Sequence, residues 1–281
     1  MKKIGFVDLY LSEWHANNYP GWIRQVCAKE NLDYQICYAW AEQDVSPVDG
    51  VTSAQWCQQQ NVELCETLAE LCEKSDCIIV LAPSNPETHL RYAQEVLKYQ
   101  KRTYIDKTFA PDAATAQKIV DLSKAYGTPF FTTSALRYAS ELVPLAGVDN
   151  VQVTGGGRSL EEYSIHQVEM IVKTLGTGAQ KVCARKEGNV AAIEIAYCDR
   201  RQAQMYYEET AGFTCKAEKD GVALYGGGIQ SDFFMVLMEK IVHFFETGEV
   251  DFRQEETMEV MRIRESVLKA ADNLGTWIPL P

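Results

Sequence analysis

The sequence predicts an α/β protein with an N-terminal doubly wound (Rossmann-like) parallel sheet and a C-terminal α+β domain of largely antiparallel sheet. Three observations support this prediction. Up to about residue 137, short apolar strands alternate with helical segments of about 10–15 residues. The run 77–81 (CIIVL) is apolar throughout, as expected of a strand buried on both faces of a parallel sheet. Beyond residue 137, closely spaced strand-like runs lie between helical segments.

The N-terminal elements follow from hydrophobic spacing and turn residues. A loop containing Trp14, His15 and Pro20 is predicted between the first strand and the first helix. Gly127 and Pro129 are predicted to end the last helix of this part. Strands are predicted at 2–7, 32–40, 77–81, 103–106 and 130–133, and helices at 21–30, 64–74, 87–99 and 112–126.

The C-terminal elements begin with a strand at 151–153 and a helix that carries Ile165, Val168, Ile171 and Leu175 on one face. Further strands are predicted at 181–186, 190–197, 204–209, 213–218 and 222–225, and helices at 229–247 and 254–274. We therefore predict two domains, 1–137 and 138–281, with the last helix and the tail packing back on the first domain.

Composition narrows the class of function. The 281 residues carry 27 basic and 39 acidic side chains, a net charge of −12. The negative electrostatic field of such a chain repels phosphate backbones and anionic lipid, so we expect neither nucleic-acid nor membrane partners. No apolar run reaches the roughly 20 residues that a membrane span requires, and the first residues do not resemble a signal peptide. A cytoplasmic protein with a small-molecule ligand is expected.

The nine cysteines do not indicate a disulfide framework or a metal centre. Their number is odd, and no Cys-x-x-Cys pair occurs. We expect reduced, mostly buried thiols and no metal site. Other polar residues follow the strand ends: Asp8, the segment 82–85 and Lys107. Because ligands of doubly wound sheets bind at the carboxyl ends of the strands, these residues are expected to face one crevice.

Three segments carry a resemblance to a known family. The first is DCIIVLAP at 76–83, followed by His89 and by DKTFA at 106–110. The second is GGRSLEEYSIH at 156–166, and the third is the tail 234–281. Together they resemble the glucose-fructose oxidoreductase and inositol dehydrogenase (Gfo/Idh/MocA) family. The resemblance implies oxidation or reduction of sugars, polyols or related hydroxy compounds with NAD or NADP, in a homo-oligomer (dimer or tetramer).

Carried over from that family, the catalytic residues are Lys107, Glu162 and His166. A histidine can take a hydroxyl proton near neutral pH, and a lysine stabilises the negative charge that develops on oxygen. Glu162, four residues before His166, lies on the same helix face and can orient the imidazole. We expect the Lys107 amine and the His166 imidazole to meet in one cavity. The alternatives are a solvated Lys107, a structural His166 and a solvated Glu162.

The resemblance also implies cofactor and substrate residues. The residues predicted to bind the dinucleotide are Asp8, Leu9, Tyr10, Glu42, Ala82, Pro83, Asn85 and His89. The residues predicted to contact the substrate are Trp14, His15 and Lys107. Packing at a helix start is the alternative for His89, and core or interface packing is the alternative for the aromatic residues.

The family's Gly-x-Gly-x-x-Gly loop is absent. The corresponding positions hold Asp8, Tyr10 and Glu13, and two of these side chains would repel a pyrophosphate. Thr108 also replaces the usual proline after Lys107. Three hypotheses therefore remain open. The protein is an NAD(P)-dependent oxidoreductase with an unusual loop, a relative that binds or processes a sugar-like ligand without the dinucleotide, or a non-catalytic subunit.

Overall fold

The computed structural model describes residues 1–281 and confirms the predicted fold class. Contacts divide the chain into two units. The first unit comprises Met1–Thr133 and Leu237–Asp251, and the second comprises Ser134–Val236 and Phe252–Pro281. No helix is both long enough and apolar enough to cross a membrane.

The first unit is built on a six-stranded, fully parallel sheet with the order β3-β2-β1-β4-β5-β6. The strands are β1 (Lys2–Asp8), β2 (Tyr34–Ala41), β3 (Glu63–Leu64), β4 (Cys77–Val80), β5 (Thr103–Ile105) and β6 (Phe130–Phe131). The order reverses beside β1, which makes the carboxyl ends of β1 and β4 the switch point where ligands of such sheets bind.

Five helices connect these strands: α1 (Trp14–Glu30), α2 (Ser53–Gln60), α3 (Leu68–Lys74), α4 (His89–Val96) and α5 (Ala113–Tyr126). The prediction of a loop before residue 21 was wrong, because the Glu13 side chain caps a helix that starts at Trp14 and contains Pro20. Helix α2 was not predicted. Its start is a capping box in which Thr52 and Gln55 bind each other's backbone N–H groups.

The second unit holds a seven-stranded sheet with the order β12-β11-β7-β10-β9-β8-β13. Only the β7–β10 pair is parallel, so the sheet is largely antiparallel. The strands are β7 (Asn150–Gly155), β8 (Ala179–Glu187), β9 (Val190–Tyr197), β10 (Gln202–Tyr207), β11 (Thr214–Lys219), β12 (Val222–Gly228) and β13 (Ile278–Pro279). Helices α6 (Leu160–Leu175) and α8 (Gln254–Asp272) pack against each other and against this sheet.

Helix α7 (Phe233–Thr247) supplies core residues to the first unit. Its Phe244 ring meets Phe131 edge-on at 5.0 Å, and its Phe245 ring lies 6.2 Å from Tyr34. All nine cysteines are free thiols, and seven are buried. Burial raises the pKa of Cys65 to about 11 and that of Cys77 to about 12, so these thiols are poor nucleophiles.

The close approach of β1 to α3 requires a glycine at position 5. A Cβ there would lie 2.4 Å from Ser75 Oγ and 2.6 Å from Leu71 Cδ2. We expect Gly5→Ala to lower the free energy of unfolding by about 1–3 kcal/mol through overpacking, measured by urea denaturation. Gly21→Ala is the control, because its Cβ meets only Arg24 at 3.9 Å and alanine favours a helix. Equal stability of the two variants would contradict the prediction.

Candidate functional site

The candidate site of the first unit lies where β1, β4 and β5 end. The backbone N–H of Leu81 donates to Val7 O, and that of Asp106 donates to Val80 O, so the three strand ends are adjacent. Asp8 ends β1, Ala82 follows β4, and Asp106 and Lys107 follow β5. The parallel strand order places these segments next to one another at one edge of the sheet.

Asp8 joins two of these strand ends. Its Oδ1 accepts hydrogen bonds from Leu9 N at 2.7 Å and Ala82 N at 3.0 Å, and its Oδ2 has no hydrogen-bond partner. The side chain is buried. Burial raises the pKa of Asp8 well above its ordinary value, and the nearby Glu13 and Asp106 carboxylates raise it further. The Asp8 carboxyl therefore holds a proton at a higher pH than an exposed aspartate does.

Glu13 occupies the N-terminus of α1. Its carboxylate accepts a hydrogen bond from His15 N at 2.8 Å and another from Ala16 N. The side chain is only 8% exposed. Backbone N–H groups at a helix start, together with the helix dipole, form an anion site, and here the anion is the chain's own carboxylate.

An imidazole and two phenols complete this buried cluster. His15 Nδ1 lies 3.5 Å from Glu13 Oε2 and 3.4 Å from Asp106 Oδ2. Tyr104 donates its hydroxyl proton to Asp106 Oδ1 at 3.0 Å, and Tyr19 lies 3.5 Å from the same oxygen. Burial and the two carboxylates raise the pKa of Tyr19, so it stays a neutral donor. The cluster is acidic, close-packed and buried on every side.

Lys107 and His89 contact the segments that follow β4 and β5. Lys107 is 9% exposed, and its Nζ donates to Pro83 O at 3.3 Å. His89 is fully buried, with Nε2 at 2.6 Å from Leu81 O and Nδ1 at 3.0 Å from Phe109 O. Burial lowers the pKa of His89. These two contacts connect the segment after β4 with the segment after β5.

The remaining predicted residues of the first unit are distributed along the same edge. Glu42, expected near a ribose, accepts hydrogen bonds from Tyr92 at 2.7 Å and from Arg91. Asn85 donates to Glu87 at 3.0 Å. Leu9 is buried and Tyr10 is half-buried. Trp14 is 52% exposed, and its ring packs edge-on against Trp22 at 5.5 Å and against His15 at 5.0 Å.

The predicted residues of the second unit lie on α6. His166 Nδ1 is 2.7 Å from Ser134 Oγ, and its ring packs edge-on between Tyr163 and Phe213. Glu162 lies one turn earlier but forms an ion pair with Arg158. That Glu162 orients His166 stays a prediction. The convergence of Lys107 with His166 stays a prediction.

The comparisons with known proteins agree with this architecture. Residues 44–134 match the model of the family described as "Oxidoreductase family, NAD-binding Rossmann fold" (Gfo/Idh/MocA). The predicted resemblance to this family is confirmed, over a segment of about a third of the chain. The matched segment holds β4, β5 and Lys107 and begins after α1. No curated protein matches the sequence.

Solved structures share the fold over the whole length of the chain. Scyllo-inositol dehydrogenase from Lactobacillus casei, with bound NAD(H) and scyllo-inositol, has a TM-score of 0.75 at 13% identity, over 99% of this chain and 98% of that one. An NAD binding oxidoreductase from Klebsiella pneumoniae has a TM-score of 0.76 at 10% identity, over 100% and 99%. GenD2 from gentamicin A biosynthesis, in complex with NAD, has 0.77 at 12%, over 100% and 97%. At such identities the likeness shows the fold alone.

The residues at the start of α1 do not fit a dinucleotide. The segment 9–13 has no glycine, and its Leu9 and Leu11 side chains are buried where a phosphate-binding loop would expose backbone. Glu13 already accepts the helix N–H groups that would bind phosphate oxygens, and Asp8 adds a second buried carboxyl. The N-terminus of α1 is thus occupied by the chain's own carboxylate.

Sequence reasoning missed four members of the cluster: Glu13 as a cap, Asp106, Tyr19 and Tyr104. Glu13 was noted only as an acid at a glycine position, because the helix was predicted to start at residue 21. An acidic residue directly before a helical segment is a capping signal that could have revealed its role. Ser134, the partner of His166, carried no signal, since the two residues lie 32 positions apart.

Proposed function

We propose that this protein binds and acts on a sugar, polyol or related hydroxy compound without holding a dinucleotide at the start of α1. The observation that carries the proposal is the Glu13 carboxylate bound to the backbone N–H groups of His15 and Ala16. A pyrophosphate at that position would have to displace the Glu13 carboxylate from these N–H groups or lie beside its negative charge. One such repulsion at 4 Å costs about 1 kcal/mol in water and about 4 kcal/mol near a protein surface.

The same edge supports a neutral, hydroxyl-rich ligand. The exposed Trp14 indole, backed by Trp22, offers a face on which a sugar ring can stack. Lys107 is proposed to donate to a ligand hydroxyl or carbonyl oxygen. It lies just after the end of β5, the strand next to the switch point formed by β1 and β4. His166 is proposed as the second ligand-binding group. Assembly into a homo-oligomer and a cytoplasmic location stay predictions.

A second candidate is an NAD(P)-dependent oxidoreductase acting on the same class of compound. The observation that favours it is the family match over 44–134, which includes β4, β5 and Lys107. In this candidate the dinucleotide would require a path that avoids the filled N-terminus of α1.

Titration with NADH and with NADPH separates the two candidates. We expect neither nucleotide to stabilise the protein in thermal denaturation or to change nicotinamide fluorescence. A nucleotide present at 100 times its Kd would add about 2.7 kcal/mol to the free energy of unfolding, so its binding would be detected as a rise in the melting temperature. Stabilisation by either nucleotide would refute the first candidate and favour the second.

A panel of sugars and polyols tests the ligand class directly by calorimetry. We expect one member to bind and Trp14→Ala to weaken that binding by at least tenfold, because a stacking face is lost. Trp277→Ala is the matched control, since Trp277 is also partly exposed but lies in the C-terminal tail. Absence of binding to every sugar, polyol and nucleotide would leave the non-catalytic subunit as the remaining hypothesis.

A further inference from the structure

The sheet of the second unit ends in a long, uncharged edge strand. Of the four edge strands in the two sheets, β3, β6 and β13 have two residues each, whereas β12 has seven. Short edge strands, charged side chains and prolines are devices that keep a sheet edge from pairing with another chain. The sequence of β12, VALYGGG, has no charge and no proline. Its length and composition therefore make β12 the least protected of the four edges.

Large apolar side chains lie at this edge. Val222 is 62% exposed and Leu224 is 48% exposed, and both belong to β12. Val143 is also exposed, and it lies on the 3-10 helix Ser140–Leu145, which packs against β12. Contact with another chain along this edge would remove apolar surface from water, which is favourable.

The backbone of β12 offers hydrogen-bonding groups at the same edge. In an antiparallel pair, hydrogen-bonded and non-hydrogen-bonded positions alternate. Ile229 N donates to Phe213 O, so Gly226, opposite Lys216, is a non-hydrogen-bonded position of the β11–β12 pair. The register shift of this pair, at residues 217–218, lies outside the stretch used here. The N–H and C=O of Gly226 therefore point away from β11, and glycine has no side chain to cover them.

We propose that β12 pairs antiparallel with β12 of a second copy of this chain, about a twofold axis, so that the two seven-stranded sheets become continuous. A strand in this arrangement is its own complement, because a twofold axis presents the same surface on both copies. Since β12 has no charged residue, the paired strands do not repel each other. Main-chain hydrogen bonds supply the attraction, and the exposed apolar side chains add buried area.

Charges beyond the two ends of β12 favour the antiparallel partner. Lys219 lies just before the strand and Asp232 lies just after it, and both are exposed. Antiparallel pairing brings the start of each strand beside the end of its mate, so Lys219 of each copy approaches Asp232 of the other. Opposite charges across a contact guide association and fix its orientation. The edge thus has complementary charges for a second copy of itself.

Sedimentation velocity over a range of protein concentrations measures this assembly. We expect the unaltered protein to dimerise, and the double variant Val222→Lys with Leu224→Lys to weaken the dimer by at least about tenfold, because lysines on an edge strand oppose pairing. Val48→Lys with Leu274→Lys is the matched control. It replaces the same residue types at similarly exposed positions outside β12 and changes the net charge equally, so it should dimerise like the unaltered protein.

Hydrogen exchange locates the contact in the unaltered protein. We expect amides of the segment 222–228 to exchange more slowly at high protein concentration than at low, and to lose this dependence in the lysine variant of β12. A protein that stays monomeric, a dimer that this variant retains, or protection confined to another segment would each overturn the proposal. Protection of 222–228 only by a protein of different sequence would also overturn it. No sugar, polyol or nucleotide is added, so the result is independent of the tests of the proposed function.

Discussion

Replacement of Arg137 by methionine is expected to lower the free energy of unfolding by about 3–5 kcal/mol. The reason is that the buried Glu169 carboxylate loses the compensating charge of Arg137. The Arg137 guanidinium is 2% exposed, pairs with Glu169 and Glu256, and stacks on the Phe252 ring at 4.0 Å. Without it, Glu169 keeps the hydrogen bond from Ser134 N but loses the positive charge that Arg137 places beside its carboxylate. Urea denaturation measures the loss, and the two proteins are compared at equal m-value, the slope of the unfolding free energy against urea concentration.

Two control variants show whether the buried charge is the cause. Glu256 is partly exposed at 19%, so Glu256→Gln should cost much less than the arginine replacement. The double variant Arg137→Met with Glu169→Gln removes both charges and keeps an acceptor for Ser134, so it should recover most of the loss. A double variant as unstable as the single one would show that methionine packs badly, and would contradict the explanation from charge.

The fold was predictable because its signals are local. The apolar run that became β4 and the helical spacing of Ile165, Val168 and Leu175 on α6 depend only on neighbouring residues and on the period of each element. A buried parallel strand needs apolar residues on both faces, and few other arrangements satisfy that pattern. The fold class therefore followed from composition and periodicity alone.

The chemistry of the site was less predictable because its contacts join distant positions. The sequence marks Asp8 and Glu13 as acids at glycine positions, but only the parallel sheet brings them together with Asp106 in one buried cluster. Ser134 and His166 meet through the packing of α6 against a 3-10 turn. Burial then changes what a group does, since a desolvated carboxyl keeps its proton to a higher pH.

A carboxylate at the start of α1 is compatible with the fold. Glu13 places an internal negative charge at the helix N-terminus, which the helix dipole favours. The sheet beneath has the parallel strand order β3-β2-β1-β4-β5-β6. Function in such folds is set by the strand-end segments, and here the segments after β1 and β5 carry the buried carboxyls of Asp8 and Asp106.

Replacement of Asp8 by asparagine is expected to raise stability at neutral and alkaline pH and to flatten its dependence on pH. In the folded protein the pKa of Asp8 lies well above its ordinary value of 3.8, because burial and the Glu13 and Asp106 carboxylates disfavour its charge. Between the ordinary and the raised value, the folded chain keeps a proton that the unfolded chain has lost. Stability therefore falls as pH rises through that window, by up to about 1.4 kcal/mol per pH unit.

Asparagine removes this penalty and preserves the geometry. Its Oδ1 can still accept from Leu9 N and Ala82 N, and its amide can donate toward the neighbouring carboxylates. Asp49→Asn is the control of opposite sign. Hydrogen bonds from Ser12 and Val51 lower the pKa of Asp49, so its charge stabilises the fold above the ordinary aspartate pKa. Urea denaturation from pH 5 to pH 8 compares the slopes, and an Asp8→Asn variant with the slope of the unaltered protein would show that Asp8 is ionised in the fold.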